Sequence, residues 1–94
     1  MNNVVIKGTS YPCRLTMGAM RRFKKNTGKE INEIGTDISL MGELLACCIR
    51  SACNADNVKL DLNDEAVMDC LSLKQVTEFA ESMADATEDS KKKP

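Results

Sequence analysis

The sequence predicts an α+β fold, mainly α, in which an N-terminal β-hairpin precedes a small bundle of about four helices. Three observations predict it. The chain opens on a β-branched run, Val4-Val5-Ile6, followed by turn residues. Beyond residue 16, apolar residues recur at helical spacing between capping residues and glycines. Only 3% of residues are aromatic against 43% hydrophobic, so the core must be aliphatic, with Met and Cys, a composition that favours packed helices. At 94 residues the chain makes one domain with one modest core. We place that domain at residues 1–86 and expect a disordered C-terminal tail at 87–94, which is polar and charged.

The hairpin is expected over residues 3–15, with Gly8-Thr9-Ser10 as its turn and Pro12, which has no amide hydrogen, at an outward-facing edge position. Thr16 is placed to cap the first helix, with Leu15 and Met20 as a hydrophobic staple. Gly28 supplies the left-handed residue after its end at Asn26-Thr27. Ile31 and Ile34 give one helical turn, and Thr36, Asp37 or Ser39 can cap the next helix, Ile38 to about Cys53. Its apolar residues fill more than one face, as a central helix requires. Asn63 caps a short helix whose first turn holds Asp64 and Glu65. Ser72 and Gln75 form a capping box, with Leu71 and Val76 as its staple. They open a last helix running from Leu73 to about Ala86, with Val76, Phe79, Ala80 and Met83 on one face.

Net charge is −1, but its distribution is lopsided. Residues 1–29 hold seven Lys and Arg and no acid, residues 30–90 hold three basic and fourteen acidic residues, and Lys91 to Lys93 follow. A basic end therefore faces an acidic body, within the fold or between copies of it. The longest apolar stretch, Leu44 to Ile49, falls far short of the roughly 20 residues that span a bilayer, and Met1 leads into no signal-type segment. The expectation is a cytoplasmic protein without a membrane partner.

There is no histidine, so the commonest general base and metal ligand is missing. Cys47, Cys48 and Cys53 match no familiar zinc spacing. With Cys13 and Cys70 they make an odd number, and we read them as reduced, mostly buried thiols. The acids Asp64, Glu65, Asp69, Glu78, Glu81 and Asp85 fall on polar helix faces without a phosphate loop or a nucleophile motif. We expect no catalytic residue, no metal and no cofactor.

Arg21, Arg22, Lys24 and Lys25 crowd the first helix. Near a helix C-terminus cations are favoured by the dipole. Nucleic-acid binding would call for a more basic domain and stacking aromatics, whereas the nearby aromatic, Phe23, is in phase with Met20 on the apolar face. Met17, Met20 and Phe23 are expected to hold the fold, leaving the four cations to an acidic neighbour or partner. Met17, Met20, Met41, Met68 and Met83 all fall on apolar positions, where thioethers pack a core or adapt to a partner helix.

The order of a short hairpin, then "RLTMGAMRRFKKNTGKEINEI", "LLACCIRSA" and "LDLNDEAVMDCLSLKQVTEFAESM", resembles the small tail assembly chaperones of long-tailed phages, prophages and gene transfer agents. The likeness covers residues 4–86 through short, mainly structural motifs: a T-x-G-A-hydrophobic helix start, a "TG" helix end and a cap at Leu62 to Val67. It departs from them where Lys24 and Lys25 replace the acid common before "TG". The resemblance implies a non-enzymatic function: binding the tape measure protein, or another tail protein, during tail morphogenesis in the host cell cytoplasm. The candidate partner-binding residues are Arg21, Arg22, Lys24, Lys25, Met41 and Met83. A homo-oligomer through basic and acidic faces is a further expectation. The alternative is a small nucleic-acid-binding regulator of a mobile element that uses the basic first helix, although nucleic acid is the disfavoured partner.

Overall fold

The computed structural model describes residues 3–92, with side chains through Met83. Its order is β1 (Asn3–Ile6), β2 (Thr9–Pro12), α1 (Met17–Thr27), a 3₁₀ turn (Ile31–Glu33), α2 (Ile38–Ala55), α3 (Asp64–Cys70) and α4 (Leu73–Lys92). The fold is therefore α+β and mainly α, a two-stranded antiparallel hairpin followed by four helices. α4 continues past the end expected at Ala86, and the tail expected over 87–94 lies, in its side chains, outside the described residues.

The hairpin turns earlier than its glycine-threonine-serine run suggests. Lys7 and Gly8 form the two-residue turn with φ of 52° and 79°, so Thr9 and Ser10 belong to β2. Two consecutive positive φ values are what a tight turn needs to match the twist of its flanking strands, and they select this short connection. The register pairs Ile6 with Thr9, Val5 with Ser10, Val4 with Tyr11 and Asn3 with Pro12. Ile6 and Thr9 close the turn as the hydrogen-bonded pair, so alternation puts Val4–Tyr11 in the next bonded pair and Asn3–Pro12 in a non-bonded one. The missing Pro12 donor thus faces outward, as expected. On the opposite edge the Val5 carbonyl, also outward, accepts a 2.9 Å hydrogen bond from Gln75 Nε2.

Val4 and Ile6 alternate inward while Val5 stays exposed. They meet a core whose centre is α2, with Leu44, Leu45, Cys48, Ile49 and Ala52 fully shielded from water. α2 has the length and composition of a membrane-crossing helix, more apolar than its short Leu44–Ile49 stretch suggests, and ten of its 18 residues are buried inside the fold. α1, α3, α4 and β2 all pack against it. Phe23 and Ala19 from α1, Val67 from α3, and Val76 and Phe79 from α4 complete the core.

Local capping sets the helix limits. Thr16 accepts from the Ala19 amide, Asp37 from those of Ser39 and Leu40, and Asn63 from that of Ala66. Ser72 and Gln75 exchange the two bonds of a capping box, at 3.1 and 2.9 Å. Gly28, at φ 75°, ends α1 with its amide donating to the Lys24 carbonyl. A second pair, Glu30 and Glu33, boxes the 3₁₀ turn.

Longer-range polar contacts hold the loops. Arg14 grips Asp56 with two bonds of 2.9 and 2.7 Å, fastening the entry to α1 onto the end of α2. Arg50 of α2 donates to Asp64 and to the Leu60 and Leu62 carbonyls, pinning the segment between α2 and α3.

Candidate functional site

The first helix divides into two faces. Ala19 and Phe23, one turn apart, point inward, and Met20 is half-buried beside them. Met17 is corrected by the structure: it lies two residues from Ala19, some 200° around an ideal helix, and its side chain is 73% exposed, so it does not hold the fold. A second face, flanking the contact with α2, carries Gly18, Arg21, Arg22 and Lys25 at i, i+3, i+4 and i+7, a single stripe along the helix. Together with Lys24 they line, among the described residues, an open groove of about 680 Å³.

The stripe is defined by its lack of partners. Arg14, Lys24, Arg50 and Lys59 each meet a carboxylate, whereas Arg21, Arg22 and Lys25 have no hydrogen bond or ion pair among the described residues. Lys24 reaches Glu30 at 2.6 Å, a hydrogen bond that raises its pKa, and both side chains remain mostly exposed. Of the four expected cations, then, three are free and the fourth is engaged at the groove's margin.

α1 is held close to α2 beside this face. The Thr16 and Ser51 hydroxyls share a 2.6 Å hydrogen bond, and Ser51 is buried. A Cβ on Gly18 would stand 2.8 Å from Ser51 Oγ, so glycine is required there for close approach. Further along, Asn26 Nδ2 reaches Glu43 at 3.4 Å and the Cys47 thiol at 3.9 Å.

Met41 and Met83, the other two expected docking residues, are half-buried against the core on α2 and α4. They are not among the residues lining the α1 groove. Met68 plays a related part, its methyl lying 3.4 Å from where a Cβ on Gly42 would be.

Cys13, Cys47, Cys48 and Cys53 are buried and Cys70 is half-buried, all as free thiols. Burial pushes Cys47 up to about 11, with Glu43 adding to it. Cys48 donates to Cys13, which raises the Cys48 thiol well above its usual range; burial raises it further. Among the described residues, no group of three or more His, Cys, Asp or Glu is placed to hold a metal ion.

Fold and site thus describe a class: a small helical domain built on one central helix, with an unpaired cationic face on its first helix. Comparison with family models, curated proteins and solved structures returns no match that would narrow this class.

Proposed function

We propose that this protein is a non-enzymatic phage or prophage tail assembly chaperone, acting in the host cytoplasm, that binds the tape measure protein during tail morphogenesis. Its resemblance to that family over residues 4–86 supplies the partner. The observation that carries the docking surface is the stripe of Arg21, Arg22 and Lys25, which no carboxylate of the described residues engages. Solvated cations held on a rigid helix attract an acidic segment at long range and fix its register on contact. Met41 and Met83, adaptable and partly exposed, would add apolar contact at the margins of a helical partner.

Co-expression with the neighbouring tape measure gene tests this reading. Co-purification and solubilisation of that long helical chain are expected, and loss of both in Arg21→Glu/Lys25→Glu would place the contact on α1. A tape measure protein equally insoluble with and without this chain would overturn the proposal.

The four cations lining one groove also favour the second reading, a nucleic-acid-binding regulator. A DNA mobility shift that weakens steeply with salt and disappears in Arg21→Glu/Lys25→Glu would select it over the first.

A further inference from the structure

The unpaired cations of α1 are matched in this chain by unpaired acids elsewhere. Glu65 and Asp69 lie one turn apart on α3, and Glu78 and Glu81 one turn apart on α4. All four are exposed and have no cationic partner among the described residues, in contrast to Asp56, Asp61 and Asp64, each of which meets an Arg or Lys. Lys74 stands one turn before Glu78, so the acidic stripe on α4 begins after it. Among the described residues no ion pair joins the two charged faces within one molecule; α1 packs chiefly on α2 and the 3₁₀ turn, and α3 and α4 chiefly on α2.

We propose that the occupant of the α1 groove in the free protein is a second copy of this chain, presenting the carboxylates of its α3 and α4. Several features of the molecule argue for that occupant. The charges are opposite and comparable in number: Arg21, Arg22 and Lys25 against Glu65, Asp69, Glu78 and Glu81. The whole chain is close to neutral, at −1, so copies do not repel one another in bulk while their faces attract locally. None of these seven charges has a hydrogen bond or ion pair among the described residues, so pairing them across two copies breaks no existing contact.

Because the two faces differ, the contact is heterologous, basic face to acidic face. Repetition of such a contact gives a ring if the rotation closes and a chain of subunits if it does not. Each copy added buries one groove and leaves one free, so association is stepwise and electrostatic. It weakens as the Debye length falls from about 10 Å at 0.1 M salt to about 3 Å at 1 M. The same groove cannot hold a second copy and another acidic partner together, so the two compete. This inference rests on the charge distribution and not on the tail-chaperone reading. A protein that self-associates but ignores the tape measure protein would fail that reading alone, and the reverse result would fail this inference alone.

The test is mass by light scattering across 0.05–1 M salt on the full chain, with circular dichroism to confirm folding. At low salt the wild type is expected at two or more times 10.3 kDa, returning to 10.3 kDa at high salt. Arg21→Glu/Lys25→Glu and Glu78→Lys/Glu81→Lys should each be monomeric at low salt, and mixing the two should restore association through the complementary reversed faces. Should a reversed variant fail to fold, Arg21→Gln/Lys25→Gln replaces it, with an expected loss of at least tenfold in association constant. A wild type that is monomeric at every salt concentration overturns the proposal, as does association that survives either reversal. Association seen only with added DNA or RNA also overturns it, naming nucleic acid as the occupant.

Discussion

Thr16 Oγ1 and Ser51 Oγ lie 2.6 Å apart, joining the cap of α1 to a buried position in the C-terminal part of α2. The same Thr16 oxygen accepts the Ala19 amide, so one hydroxyl both starts the helix and sets its height over its neighbour. Gly18 lies at this junction, and an added methyl would meet Ser51 Oγ at 2.8 Å. Gly18→Ala should therefore destabilise the fold even though alanine is the better helix former, because Ser51 must turn away and give up Thr16. Ser51→Ala removes the obstructing oxygen, so the double variant should be more stable than the sum of the two single changes predicts. A thermal-denaturation double-mutant cycle reads this coupling, expected at about 0.5–2 kcal/mol.

Lys7 occupies a left-handed backbone position, at φ 52°, that asparagine and glycine adopt more easily. Lys7→Asn should raise stability by a few tenths to about 1 kcal/mol by supplying the favoured residue of an Asn-Gly turn. Chemical denaturation of the two proteins checks it, and an unchanged midpoint would argue against this turn.

Arg50 spreads its guanidinium over one carboxylate and two carbonyls, which a lysine cannot match from a single nitrogen. Arg50→Lys should cost about 1–3 kcal/mol in urea unfolding, since hydrogen bonds to charged donors are lost at the Leu60 and Leu62 carbonyls. Faster amide exchange confined to residues 56–63 would accompany it.

Asp56 has its pKa lowered, chiefly by its hydrogen bonds from Arg14. A carboxylate more acidic in the folded state stabilises the fold above its ordinary value of 3.8, and that contribution disappears as pH falls through its folded value. Asp56→Asn should therefore melt below the wild type at pH 7, and the difference should close as pH drops under 3.8. A gap that stays constant down to pH 2 would show that the pair carries no pH-dependent stability.

The buried thiols predict a graded reactivity. With Cys47 pushed up to about 11 and Cys13, Cys48 and Cys53 hidden from water, iodoacetamide at pH 8 should label Cys70 first in the folded protein. The other four should react only on unfolding, which peptide mass mapping would resolve.

What the sequence made legible was mostly local. Thr16, Gly28, Asn63, Ser72 and Gln75 act on amides or carbonyls within four residues, so composition and spacing suffice to find them. The turn at Lys7 was hidden because strand register overrides the reluctance of a lysine to take positive φ. Met17 was misjudged because a short amphipathic helix offers several apolar residues, and only the tertiary partner decides which of them face inward. The contacts of Arg50 with residues 60–64, and of Gln75 with Val5 seventy positions away, follow from the fold and leave no sequence signal. For the candidate site, the cations were visible as a cluster. Their division into three free groups and one paired with Glu30 required the placement of the loop after α1.

The hairpin carries a consequence for how copies of this chain can meet. Each of its edges has two outward-facing backbone positions, Asn3 and Val5 on β1, Ser10 and Pro12 on β2. One on each side is closed to further pairing: the Val5 carbonyl is held by Gln75, and Pro12 has no N–H to offer. Neither edge offers an incoming strand its full set of bonds, which makes each a poor template, so crowding this protein to high concentration need not convert it into a growing sheet. Encounters between copies are left to side chains, whose attachments come apart again when conditions change.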